Sequence, residues 1–136
     1  GTANCDVILD DAEIASPIVH GDATTVIVMN VPSLKFVADL VPGGVALINT
    51  SLVDVPVERD DIRVYYVPAN ELAIEAGNLQ TTNMVMLGAF AETTHCLDAA
   101  SVLNAMAKKL GERKAHLMES NRAAFAAGSQ AVLAQR

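Results

Sequence analysis

Three short runs rich in β-branched and apolar residues constrain this chain more than any other feature. They are Val26–Met29 (VIVM), Val45–Ile48 (VALI) and Ile62–Val67 (IRVYYV). Continuous apolar runs of this length suit strands covered on both faces, as in a parallel sheet. Each run breaks off into a small polar cluster: Asn30-Val31-Pro32-Ser33, Asn49-Thr50-Ser51 and Pro68-Ala69-Asn70. In a parallel sheet these clusters fall together along the carboxyl edge, where open α/β sheets bind ligands. Short amides and hydroxyls there can bond to a ligand, to a partner chain or to nearby helix N-termini. They are also ordinary caps and turn formers, so capping alone accounts for any one of them.

The rest of the pattern supports an α/β domain. Ala3–Leu9 reads as a partly alternating strand, and Ser16-Pro17 marks turn geometry after it. Pro32 or Ser33 opens a helix through Leu40, with proline suited to a first turn and "VPGG" as the stop. A short helix is expected over Glu71–Ala76, with Gly77 as a left-handed cap. The remainder is helical. One apolar segment starts from Thr81, Thr82 or Asn83, a second is capped by Asp98 and closed by Gly111, and a third runs from about Lys114 to Gln135. The 136 residues, 51% of them hydrophobic, suffice for one domain with its own core.

Several functions are excluded or lack their chemistry. A formal charge of −7 argues against nucleic acid. The nearest basic cluster, Lys108, Lys109, Arg113 and Lys114, lies around a helix end, where cations complement the dipole. There is no GxGxxG, no GxxxxGK[ST] and no GxSxG. Cys5 and Cys96 show no zinc or iron–sulfur spacing and read as two buried thiols in a reducing compartment, with a single disulfide as the alternative. His20, His95 and His116 are scattered. The acidic groups Asp10, Asp11, Glu13 and Asp54, Glu58, Asp60, Asp61 read as solvated loops. No apolar run reaches membrane-spanning length and no signal peptide is visible, so a cytoplasmic chain is expected.

Five segments in one order carry a resemblance: "GTANCDVIL…EIASPIV", "VIVMNVPSLKF", "VPGGVALINTSLV", "VYYVPANELAIEAGN" and "TNMVMLGAF". From Gly1 to about Gly128 the chain resembles the gamma subunit, or gamma domain, of the 2-oxoacid:ferredoxin oxidoreductases. Within that family "GTANC" and "VIVMNVPS" look most like the 2-oxoglutarate type. The resemblance implies a Rossmann-like domain over residues 1–136, with a mostly parallel sheet, flanking helices and a helical C-terminal part. It also implies that the domain's first unit, a strand and a GxGGQG loop, lies outside this sequence, which leaves an apolar sheet edge open.

The implied complex converts a 2-oxoacid to its acyl-CoA with thiamine diphosphate, magnesium, iron–sulfur clusters, coenzyme A and ferredoxin. On this reading the chain binds no redox cofactor itself. Its partners are alpha and beta catalytic subunits and a ferredoxin-like subunit, with no nucleic acid and no membrane. Matched onto this sequence, Asn4, Asn30, Pro32, Ser33, Asn49, Thr50, Ser51 and Asn70 become ligand- or partner-facing candidates, none with a catalytic proton transfer. A stand-alone Rossmann-like small-molecule-binding module and a purely structural assembly domain are the competing readings.

Overall fold

The computed structural model describes residues 2–136. Its sheet has three parallel strands in the order β1-β2-β3, formed by β1 (Ala23–Val28), β2 (Leu40–Asn49) and β3 (Arg63–Val67). The four α-helices all follow the sheet: α1 (Ala69–Glu75), α2 (Thr82–Thr94), α3 (Ala99–Leu110) and α4 (Met118–Leu133). The expected α/β class and parallel sheet are therefore present.

Alternation along β2 builds two cores. Val45 and Leu47 face α1, α2 and α4, together with Tyr65, Val67, Met84, Val85 and Phe125. Ala46 and Ile48 face the other way, onto Val28, Val37, Leu40 and Val53. Both faces of the central strand are covered, which is why its sequence is apolar at successive positions rather than alternating with polar residues.

Four expectations are corrected. Ala3–Leu9 forms no strand; Val7 is 71% and Leu9 66% exposed, and among the described residues no strand pairs with the segment. A strand needs such a partner for its backbone groups, and side-chain pattern alone cannot supply one. Residues after Asn30 form a 3₁₀ helix over Val31–Asp39 rather than a regular helix through Leu40. Leu40 already belongs to β2, and "VPGG" lies within that strand. Ala23 pairs with Leu40 and Thr25 with Val45, so β2 carries extra residues in a bulge. Gly43 adopts φ +82° there, and its N–H donates to the Asp61 carbonyl at 2.7 Å. The last α-helix starts at Met118, not Lys114, because Glu112–Leu117 is a kinked 3₁₀ segment. Finally, Cys5 and Cys96 are free and exposed, not buried.

Asp54, Glu58, Asp60 and Asp61 are exposed, as expected of a solvated loop, and Arg59 among them anchors it. Arg59 donates to the carbonyls of Val37 at 2.8 Å and Leu40 at 3.1 Å, and to both oxygens of Asp61. The hydrogen bond from Arg59 holds the Asp61 carboxyl below its ordinary range. This bridge pins the loop to the end of the 3₁₀ helix. Among the described residues no helix is long and apolar enough to cross a membrane.

Candidate functional site: the carboxyl edge of the sheet

All three strands are parallel, so their polar endings do meet on one edge. Asn49, at the end of the central strand, is fully buried and joins the three endings. Its Nδ2 donates to the Met29 carbonyl at 3.3 Å, beyond the end of β1, and to Asn70 Oδ1 at 3.1 Å, on α1. Its Oδ1 accepts from the Ser51 N–H at 3.3 Å and from the buried Ala69 N–H at 3.2 Å. Two donor hydrogens and two acceptor bonds fill the carboxamide's capacity. Asn49 is thus the clamp that holds the edge together.

The flanking residues are bonded around it. Asn30 Oδ1 accepts from the Ser33 N–H at 3.2 Å and from Ser33 Oγ at 2.7 Å, capping the 3₁₀ helix. Pro32 follows exposed in its first turn, where a missing N–H costs nothing. The Thr50 N–H donates to the Val67 carbonyl at 2.9 Å and extends the β2–β3 ladder by one residue. Ser51 Oγ accepts from the Asn70 N–H at 2.9 Å and donates to Glu71 Oε2.

At this edge two carboxamide nitrogens stay free of bonds to other described residues: Nδ2 of Asn30 and Nδ2 of Asn70, both on half-buried side chains. Asn4 lies in the exposed N-terminal segment, outside this network. Beside the edge, Thr50, Val53, Asp54, Val55, Pro56 and Tyr66 line an open depression of about 340 Å³. A somewhat larger hollow, about 420 Å³, lies at the far end of α1, against Glu75, His116 and Glu119.

Glu71 was not singled out by sequence, although an acidic residue in the first turn of a helix after a polar cluster is the available signal. The Ser51 hydroxyl donates to its carboxylate and so lowers the Glu71 pKa. A group with a depressed folded-state pKa stabilises the fold above its unfolded pKa. That contribution is lost as pH falls through the folded value. Ser51→Ala should therefore flatten stability on the acid side of the ordinary glutamate range, while leaving the neutral-pH slope unchanged. Melting curves between neutral pH and strongly acid pH measure this; parallel curves for both proteins would contradict it.

The donor set does not suit a metal or an iron–sulfur cluster. Among the described residues no group of three or more His, Cys, Asp or Glu side chains is placed to hold an ion. The edge offers amides, hydroxyls, backbone groups and the single Glu71 carboxylate, which bind by hydrogen bonding.

The family model for pyruvate ferredoxin/flavodoxin oxidoreductase matches residues 1–131. The chain is 37% identical over 90 residues to ketoisovalerate oxidoreductase subunit VorA of Methanothermobacter marburgensis, an alignment that covers 65% of this chain and 18% of that protein. Among solved structures, it is similar to the gamma subunit of a keto/oxoacid ferredoxin oxidoreductase from Geobacter sulfurreducens PCA, with TM-score 0.74 and 25% identity over 84% of this chain and 66% of that one. The 2-oxoglutarate:ferredoxin oxidoreductase of Magnetococcus marinus, solved with 2-oxoglutarate, coenzyme A and succinyl-CoA bound, shares the fold at TM-score 0.73 and 21% identity, over 84% of this chain and 20% of that one. The chain spans less than a fifth of the length of the VorA relative and about two thirds of the Geobacter gamma subunit. With the family model matching almost every residue, the chain belongs to the pyruvate ferredoxin/flavodoxin oxidoreductase family.

Proposed function

We propose that this chain is a gamma-type part of a multi-subunit oxidoreductase that decarboxylates a 2-oxoacid oxidatively to its acyl-CoA, with ferredoxin as electron acceptor. Its role is assembly and the coenzyme A side of the reaction. Thiamine diphosphate, magnesium and the iron–sulfur clusters belong to the alpha, beta and ferredoxin-like subunits. The observation that carries this reading is the family match over residues 1–131, joined to a polar carboxyl edge and no cluster-type cysteine spacing.

The edge has a direction. Glu71 places a carboxylate beside Ser51, and that end disfavours phosphate. At the opposite end, the free Nδ2 of Asn30 offers a donor. The anionic part of coenzyme A fits the Asn30–Ser33 end, and its amide-bearing arm fits the Nδ2 of Asn70.

Asn30→Asp isolates this role. An aspartate keeps the oxygen that caps the 3₁₀ helix and removes only the outward donor, putting a negative charge in its place. In the assembled complex the KM for coenzyme A should rise about tenfold or more, as a lost bond to a charged group implies. The melting temperature should barely move. An unchanged KM would mean that this end does not face coenzyme A.

The 2-oxoacid is proposed to be 2-oxoglutarate, supported by the sequence resemblance and by the shared fold with the Magnetococcus enzyme. The VorA relative favours a branched 2-oxoacid instead. Turnover with 2-oxoglutarate against 3-methyl-2-oxobutanoate decides between them.

The sheet itself is proposed to be completed in the assembly. Among the described residues no strand pairs with the outer edge of β1, and Ile27 on that strand is 40% exposed. An open edge of this kind invites pairing.

A further inference from the structure

The two edges of the sheet differ. The outer edge of β1 pairs with nothing among the described residues, whereas the outer edge of β3 is occupied by a side chain. Successive peptides of a strand point alternately toward and away from a given neighbour. On β3 the Val67 carbonyl points to β2, where it accepts the Thr50 N–H. Tyr66 therefore points its N–H and C=O away from the sheet.

Both groups are taken by Gln135. The Tyr66 N–H donates to Gln135 Oε1 at 2.9 Å, and Gln135 Nε2 donates to the Tyr66 carbonyl at 2.8 Å. One carboxamide thus exchanges both bonds with one residue, which is the pattern of a hydrogen-bonded pair between antiparallel strands. The amide is held in place as well. Its Nε2 also donates to the Ala131 carbonyl at 3.0 Å, in the last turn of α4. The next residue, Arg136, donates to the Glu92 carbonyl at 2.7 Å and ties the same end of α4 to α2.

We propose that Gln135 is a strand surrogate that closes β3 at Tyr66 and so blocks this edge against pairing with the β3 strand of a second copy of the chain. The sequence RVYYV favours the second copy as occupant. An antiparallel pairing centred on Tyr65 sets Tyr66 of each copy opposite Val64 of the other. This places an aromatic residue against a β-branched one twice, a favourable cross-strand pair. It also sets Arg63 opposite Val67, so the two arginines do not oppose each other. Tyr66, already 37% exposed, is available for such a contact.

Two readouts on the protein, purified in its own assembly, test this. The first is amide exchange followed by mass spectrometry. Gln135→Ala should speed exchange at the Tyr66 amide about tenfold, as loss of one edge bond implies, and leave the β2 amides unchanged. The second is fluorescence anisotropy with a labelled peptide of residues 62–67. The peptide should bind Gln135→Ala and not the parent, and binding should slow exchange at Tyr66 again. Gln135→Glu keeps the side-chain length but loses the donor, and should fall between the two. Exchange at the parent rate in Gln135→Ala would overturn the closure. Faster exchange with no gain in peptide binding would overturn the blocking role.

Discussion

Gly128→Ala is expected to lose about 3 kcal/mol of stability and to lower the melting temperature by about 10 °C. The direction is opposite to the ordinary rule, because alanine in place of glycine inside a helix normally gains about 1 kcal/mol. The cause is the crossing of α2 and α4. A Cβ on Gly128 would come within 2.6 Å of the Val85 carbonyl carbon, and closer still to its oxygen. From the other helix, a Cβ on Gly88 would come within 2.8 Å of the Phe125 carbonyl carbon. Both obstacles are backbone, which cannot rotate aside as a side-chain tip can. The helices must separate, and Ala89, Ala124, Met84 and Phe125 lose contact together. Gly88→Ala should behave alike, and the double variant should cost less than the sum, since one separation relieves both clashes. Thermal melts of the three variants measure this. A stabilised Gly128→Ala protein would show that the helices are not in backbone contact.

Asn49→Ala is expected to cost about 3 kcal/mol and to loosen the whole carboxyl edge. The buried Ala69 N–H loses its acceptor, and the Met29 carbonyl loses a donor. Ser51 and Asn70 are partly exposed and can recover water, so their losses are smaller. Asn49→Asp keeps the shape and the two acceptor bonds but buries a charge facing two oxygens, so it should be at least as damaging. Because Asn70 is oriented by Asn49, coenzyme A kinetics should deteriorate alongside stability. This separates Asn49 from Asn30→Asp, where kinetics should change alone. Denaturant titration with steady-state kinetics on both variants distinguishes a clamp from a contact residue. A neutral Asn49→Ala would remove the clamp from this account.

Much of this arrangement is legible in the sequence, for identifiable reasons. VALI is apolar throughout because β2 is covered on both faces, whereas VIVM and VYYV mark the two outer strands, where Ile27 and Tyr66 stay exposed. Their shared polar endings announce the common edge. Asp98 caps α3 through the Ser101 N–H at 3.0 Å, and Gly77 takes φ +105° after α1, as their positions lead one to expect. What sequence does not declare depends on partners. Ala3–Leu9 has strand-like residues but no neighbour to pair with. The tighter winding of Val31–Asp39 and the bulge before Val45 leave no mark in the residue pattern that a regular helix and a plain strand would not also leave. Glycines in "MLGAF" and "AAGSQ" read only as weak points of apolar helices, because the helix they oppose is far away in sequence. Asn49 and Asn30 look equivalent as letters. Burial makes one a saturated clamp, while the other keeps a free donor.

The most direct test of the central claim is to tag the chain in its native host, isolate it gently, and assay the eluate for viologen reduction that requires both a 2-oxoacid and coenzyme A. Co-purification with larger subunits and strictly coenzyme A-dependent reduction is the predicted result. A chain that purifies without partners, or an eluate whose dye reduction ignores coenzyme A, would contradict the assignment.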